Sequence, residues 1–235
     1  MNPPGLDIRR AAQRFHTRTD WLDSWHSFSF AEHYDPQNVS HGLLRVLNDD
    51  VIAPGRGFGP HPHRDMEIVT WVLEGALAHE DSTGNKGVIR PGDAQRMSAG
   101  RGIVHSEVNA SATEPVRLVQ MWVLPARSGI APGYEQQALG DRLDAGGLVV
   151  VASGQGHPGA VRLYQPSAVL RVGRLKDGES AALPDAAHVH VFLARGGAQL
   201  AGQTLGQGDA ARLTRAGKQD LVSRGACEVL VWETA

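Results

Sequence analysis

The chain of 235 residues has a single cysteine, Cys227. No internal disulfide can form, which excludes a disulfide-stapled secreted scaffold. Cys227 lies in CEVLVWE, a strand-like alternation, and reads as a core or rim thiol rather than a nucleophile. An excess of one charge is lacking as well. With 23 Lys and Arg against 25 Asp and Glu, the formal net charge is -2. The basic residues are scattered, so nucleic-acid binding has no electrostatic support. No apolar run approaches the ~20 residues of a membrane-spanning helix. The opening MNPPGLDIRRAAQRF contains Arg9-Arg10, but polar residues follow it, unlike a secretory or twin-arginine signal. The expectation is a cytoplasmic protein with neither membrane nor nucleic acid as partner.

What the chain does have is punctuation. Its 28 glycines and 13 prolines are spread between short apolar segments, as in an all-β protein with many turns. The segment TDWLDSWHSFSF carries Trp21, Trp25, Phe28 and Phe30. Read as extended, it puts Phe28 and Phe30 on one side, an aromatic arm that packs against a barrel. LLRVLNDDVIAPG reads as a strand and a turn, EIVTWVLEGALAHED as two strands meeting near Glu74-Gly75, and Ser82-Thr83-Gly84-Asn85 as a hairpin turn. In RLVQMWVLPA, Leu118, Gln120 and Trp122 alternate with Val119, Met121 and Val123. Residues 124–137 lack strand periodicity and hold two prolines and two glycines, which marks an interdomain connection. The expected division is a first barrel with its N-terminal arm over residues 1–125 and a second barrel over residues 136–235.

The two halves form a weak internal repeat. WVLEGALAHEDSTGNKGVIRPGDAQRM is matched by VFLARGGAQLAGQTLGQGDAARL, with Gly75 against Gly196 and Gly92-Asp93 against Gly208-Asp209. A duplicated small β-barrel follows from this.

Two short patterns carry chemistry. His61-Pro62-His63 presents two imidazoles to one side of a strand, because residues i and i+2 share a face. His105 and Glu107 have the same spacing about forty residues later. Two neighbouring strands, each giving two inward ligands, make a site of three histidines and one carboxylate with an open position for water, substrate or dioxygen. Imidazole suits Zn, Cu, Fe and Ni. The competing interpretation is a polar barrel interior satisfied by water.

These motifs resemble those of the cupin superfamily. Gly55, His61, His63 and Glu67 fit its first motif; Gly102, His105 and Asn109 fit its second, with Gly100 where proline is usual. Within the cupins the chain resembles the pirins, through HPHRDMEIVTWVLEG, HEDSTGN, PGDAQRMSAGRGIVHSE and WLDSWHSFSF. The resemblance spans nearly the whole chain. It implies a bicupin, two double-stranded β-helix (jelly-roll) barrels in tandem, with metal in the first alone. Many cupins use the first-motif glutamate, here Glu67. Resemblance to pirins implies Glu107 as the fourth ligand beside His61, His63 and His105, leaving Glu67 a supporting role. The expected ion is Fe(II), with Cu, Mn, Ni, Co or Zn as alternatives.

The second half also contains His188-Val189-His190. His63 precedes Gly75 by twelve positions, whereas His190 precedes Gly196 by six. The positions equivalent to His61, His63 and His105 are Ala182, Pro184 and Leu221, so the second barrel lacks these ligands and His188 and His190 read as structural. His79, beside the hairpin, reads as part of a solvated turn.

The chain contains no nucleotide-binding loop, nucleophile elbow or reactive cysteine. Resemblance to pirins implies quercetin 2,3-dioxygenase activity, with a flavonol and dioxygen as substrates and Glu107 accepting the flavonol hydroxyl proton. Phe58, Met97 and Trp122 are expected to line a flat apolar cavity. The alternative the resemblance allows is a non-enzymatic, redox-sensitive regulator that binds a protein partner.

Overall fold

Short alternating segments cut by glycine turns give strands and almost no helix. The computed structural model describes residues 5–235. Its first half contains β1 (Leu6–Arg9), β2 (Phe15–Arg18), β3 (Leu22–His26), β4 (Leu44–Ile52), β5 (Gly57–His63), β6 (Glu67–Glu74), β7 (Leu77–Asp81), β8 (Lys86–Ile89), β9 (Asp93–Ser98), β10 (Ile103–Asn109), β11 (Val116–Val123) and β12 (Gly133–Ala138). The second half adds β13 (Val149–Ser153), β14 (Val161–Arg162), β15 (Ala168–Leu175), β16 (Ser180–Ala182), β17 (His188–Leu200), β18 (Gln203–Leu205), β19 (Ala210–Thr214) and β20 (Asp220–Thr234). No helix among the described residues is long and apolar enough to cross a membrane.

The first barrel is built from two sheets, ordered β12-β9-β6-β11-β4-β3-β2 and β5-β10-β7-β8. Their facing surfaces bury Ile52, Val72, Leu77, Ile89 and Leu118 at one end and Ile68, Met97 and Ile103 at the other. The second barrel is one sheet, β1-β19-β17-β20-β15-β13-β14, closed around Leu175, Val191, Leu213 and Val231. The long strands β17 and β20 shift register at Leu193, Arg195 and Gly197, where they bend from one face of the barrel to another. The repeat read from sequence has a backbone counterpart. Gly75 and Gly196 share a positive φ, 75° and 69°. A Cβ at Gly75 would lie 2.7 Å from the Pro115 carbonyl oxygen, and one at Gly196 would collide with the Ala226 carbonyl. Both barrels need glycine where a strand turns against its neighbour.

One strand lies on the sheet of the other half: β1 pairs with β19, while β12 pairs with β9 at the edge of the first-half sheet. The segment 124–137, which lacks strand periodicity in sequence, thus contributes an edge strand from Gly133 onwards. Hydrogen bonding to β9 builds it, where its own pattern gives no signal.

The halves meet through the largest core, in which Leu47, Val69, Trp71 and Met121 pack against Leu170, Phe192, Leu230 and Trp232. Central strands of the first barrel are therefore buried on both faces. In β11, Leu118, Gln120 and Trp122 face inward, and Val119, Met121 and Val123 face the second barrel, as their alternation predicts. The aromatic arm packs as expected, with one correction. The backbone bends at Ser27 and Phe28, so Phe28 enters the inter-barrel core while Phe30 turns to Trp122 at 5.6 Å.

Closeness of β5 to β10 is set by Gly57, whose missing side chain would overlap the Glu107 carbonyl and lie 2.6 Å from Val108 Cα. Replacement Gly57→Ala should cost roughly 1–3 kcal/mol in denaturant unfolding, as overpacking does. Gly59→Ala, where a Cβ meets nothing within 4 Å, should change stability by less than about 0.5 kcal/mol. Equal effects at the two positions would show that β5 is free to move off β10.

Candidate metal centre

Strand β10 lies between β5 and β7, with His105 opposite both His61 and Asp81. The register slips between His105 and Glu107, so that Glu107 lies opposite Phe58 on β5. This bulge gives β5 an extra residue at Gly59-Pro60 and re-aims the side chains around it. The ligand atoms of His61, His63 and His105 then lie within 4.8 Å of one another. Those of His79, His105 and Glu107 also fall within 4.8 Å of one another. His61 and His63 are half-buried at the edge of a cavity, and His105 and Glu107 are buried behind them.

Hydrogen bonds decide which nitrogens face the centre. His61 Nδ1 donates to the Gly59 carbonyl at 2.8 Å, which leaves Nε2 with its lone pair. His105 Nδ1 lies 3.4 Å from His79 Nδ1, and His79 Nε2 lies 3.4 Å from Asp81 Oδ2. With His79 a neutral ring donating to Asp81, its Nδ1 accepts from His105 Nδ1 and His105 Nε2 is left unprotonated. That nitrogen is buried and has no hydrogen-bond partner. Glu107 accepts from Gln120 Nε2 at 2.7 Å and from Thr70 Oγ1 at 3.5 Å.

Electrostatics favour a cation. Burial lowers His63 to about 4 and His105 to about 3, with the neighbouring histidines adding to the effect. Both imidazoles are therefore neutral donors at physiological pH. Burial pushes Glu107 up, because its carboxylate is out of water without a cationic side chain bonded to it. Neutral donors, an orphaned nitrogen and a carboxylate in need of a counter-charge fit a divalent ion.

Glu67 lies elsewhere. Alternation along β6 sends it to the inter-barrel side with Val69 and Trp71, where it accepts from Ser98 Oγ at 2.9 Å and Tyr164 N at 3.0 Å. His79 is not in a solvated turn: it is 2% exposed. The hairpin turn begins only after Asp81, whose Oδ1 accepts from the backbone and hydroxyl of Thr83. The i, i+2 pair His79 and Asp81, on the strand beside His105, was the available signal. His188 binds the Ala235 carbonyl oxygen at 2.9 Å, while His190 is buried in β17 against Phe28.

A cavity of about 270 Å³ opens onto His61, His63 and Glu107. Phe30, Phe58 and Trp122 give it apolar walls, and His26, Asp50 and Gln120 a polar side. Phe58 and Trp122 occupy the positions expected of them. Met97 does not line the cavity; it is enclosed with Ile68 and Ile103 in the core beyond. Sequence reading missed Ser24 and Asp50, which are hydrogen-bonded to each other, and His26, whose Nδ1 lies 2.9 Å from Asn48 Oδ1. Ser24 and His26 lie within WLDSWHSFSF, but their meeting with Asn48 and Asp50 has no short-range signal, since β3 and β4 are brought together only by pairing.

Two tandem β-barrels, with converging histidines and a carboxylate inside the first, define a bicupin. Residues 7–123 match the Pirin family and residues 150–234 match a quercetinase C-terminal cupin domain. A Mycobacterium tuberculosis protein named "Putative quercetin 2,3-dioxygenase Rv0181c" is 56% identical over 230 residues, covering 97% of this chain and 94% of the relative. The quercetin 2,3-dioxygenase of Escherichia coli is 49% identical over 174 residues, 74% of each chain. Among solved structures, YhhW from Escherichia coli as a nickel(II) complex superimposes with a TM-score of 0.90 at 38% identity, covering 97% of this chain and 98% of that one. The chain belongs to the pirin family.

Asp50 makes the cavity pH-sensitive. Burial raises it to about 7, with Ser24 opposing and Asp49 and Glu107 adding. A carboxyl raised in the folded state stabilises below its unfolded pKa, and that contribution is lost as pH rises through the folded pKa. Metal-free protein should therefore lose stability between about pH 4 and pH 7. Asp50→Asn should flatten that decline and be the more stable of the two at pH 8, on the order of 1 kcal/mol or more. Parallel pH–stability curves for the two proteins would show that Asp50 is not held protonated.

Proposed function

We propose that this protein is a metal-dependent dioxygenase of the quercetin 2,3-dioxygenase type, which opens the central ring of a flavonol with dioxygen and releases carbon monoxide. One observation carries the reading: neutral imidazoles and a buried carboxylate converge at the inner wall of an apolar cavity. The names of the relatives support it. In this reading His61, His63, His105 and Glu107 are the ligands. Glu107 is preferred to Glu67 because Glu67 is engaged with Ser98 and Tyr164 on the far side of β6. His79 lies close enough to compete for a place, but its bond to Asp81 gives it a better use in orienting His105.

A divalent cation, Fe(II) in this proposal with Cu, Mn, Ni, Co or Zn as substitutes, would supply Lewis-acid polarisation of the substrate oxygen and a place for dioxygen. The remaining work falls to side chains. Phe30, Phe58 and Trp122 hold the flat rings and exclude water. Glu107 receives the flavonol hydroxyl proton on a carboxylate oxygen, with Gln120 Nε2 keeping the group aimed.

Aerobic quercetin turnover with carbon monoxide analysis tests this, alongside metal analysis of purified protein. His63→Ala should lose metal and activity together, because one imidazole fewer weakens the chelate. Glu107→Gln should retain part of the metal and lose about 10²–10⁴-fold in turnover, the usual worth of a positioned base. Wild-type turnover in Glu107→Gln with full metal would remove the base from the mechanism. A wild type that cleaves no flavonol with any of these metals would favour a metal-dependent regulator of a protein partner.

A further inference from the structure

A second polar cavity lies away from the metal centre, at the junction of the two barrels. Arg9, Arg10 and Arg14 from the N-terminal segment, Ser27 and Asn38 from the loop after β3, and Arg212 from β19 line it. Three of these arginines have carboxylate partners. Arg9 is paired with Asp7 at 2.7 Å, Arg10 with Asp209 at 2.8 Å and Arg14 with Asp49 at 3.3 Å. Asp49 is shared, since Arg117 also binds it at 3.0 Å. Arg212 forms no ion pair among the described residues; Asp7, opposite it in the β1–β19 register, acts on it only at a distance and is bonded to Arg9. Arg212 is 5% exposed, donates Nη2 to the Ser27 carbonyl at 2.9 Å and to Asn38 Oδ1 at 2.8 Å, and lies over the Phe28 ring. Its Nε is buried without a hydrogen-bond partner, and so is the Ser27 hydroxyl.

A buried guanidinium without a bonded counter-charge is costly, and a buried donor left unsatisfied adds to that cost. Two orphaned donors on residues lining one cavity, with arginines in excess over carboxylates, describe a place for an anion. Burial lowers Arg212 to about 10, so it is still charged at neutral pH. Guanidinium groups present paired N–H donors that match the edge of an oxyanion.

We propose that this cavity binds a compact oxyanion of the phosphate or sulfate class, held by Arg212, Ser27 and Arg10. The enclosed space is small, about 20 Å³, little more than one water occupies, so the anion would seat at its mouth with an oxygen directed inward to Arg212 and Ser27 and no extended body inside. A phosphate monoester would leave its remainder outside, past Arg9 and Arg10, whose side chains are 42% and 45% exposed. The bound ion would tie together the N-terminal segment, a loop of the first barrel and β19 of the second. Ser27 adjoins His26, so the ion would also brace the wall of the metal-side cavity.

Calorimetric titration of the full-length, metal-loaded protein with sodium phosphate, against sodium chloride at matched ionic strength, tests the site. Saturable phosphate binding is expected, with a higher melting temperature than chloride gives. Arg212→Met keeps the apolar stem and should weaken phosphate binding roughly tenfold or more, as loss of a charge-assisted pair does. Ser27→Ala and Arg10→Gln should each weaken it several-fold, and they decide the matter if Arg212→Met fails to fold. His63→Ala should bind phosphate as the wild type does. A glycerol phosphate arm separates the two sources: equal affinity assigns the site to the head group of a monoester, and binding of inorganic phosphate alone assigns it to the free ion. Identical responses to phosphate and chloride would overturn the proposal. So would undiminished binding in both Ser27→Ala and Arg10→Gln, or loss of binding in His63→Ala, which would place the ion at the metal.

Discussion

A strand buried on both faces must satisfy two different neighbours at once, and the first barrel depends on this at β4, β6 and β11. Their inward residues build the site: Asn48, Asp50, Thr70 and Gln120 stand among Ile52, Ile68, Leu118 and Trp122. Their outward residues, Leu47, Val69, Trp71 and Met121, form the contact with the second barrel. Because side chains alternate with period two, a slip of one residue would exchange the two sets and bury the site polars in the inter-barrel core. The apolar contact with the second barrel therefore holds the register that aims Gln120 at Glu107.

This gives the second barrel a physical role without ligands of its own. Its residues reach the back of the central sheet at several points. Glu228 accepts from Trp71 Nε1 at 2.7 Å, the Tyr164 backbone binds Glu67 at 3.0 Å, and Arg117, held by Asp49, donates to the Ala194 carbonyl at 3.1 Å. The crossing of β1 onto the sheet of the second barrel fastens the halves further. Glu67 illustrates the consequence. A glutamate positioned in sequence like a metal ligand becomes part of the joint between barrels, and the carboxylate beside the histidines comes from β10.

The first barrel departs from an apolar core in the middle of its length. Its apolar residues divide into two clusters, and between them lie His79, Gln95, His105 and Glu107, all nearly inaccessible to water. Orphaned atoms remain there, among them His105 Nε2 and Gln95 Oε1. Such groups oppose folding, so the barrel gains from any ligand that satisfies them, and ligand-linked stability is the thermodynamic expression of that gain.

Local pattern alone determined much of this. Alternation set the strands and the two faces of β11, the Ser-Thr-Gly-Asn turn set the hairpin after Asp81, and the i, i+2 spacings of His61 with His63 and of His105 with Glu107 set which side chains share a face. These features are legible because they depend on residues adjacent in the chain. Tertiary structure decided the rest. His79 is buried because β10 pairs beside it, Asp50 meets Ser24 because β3 pairs with β4, and residues 133–138 are a strand because β9 offers an edge. Phe28 and Phe30 separate because the backbone bends between two different cores. In each case the deciding partner lies far away in sequence, where periodicity carries no information about it.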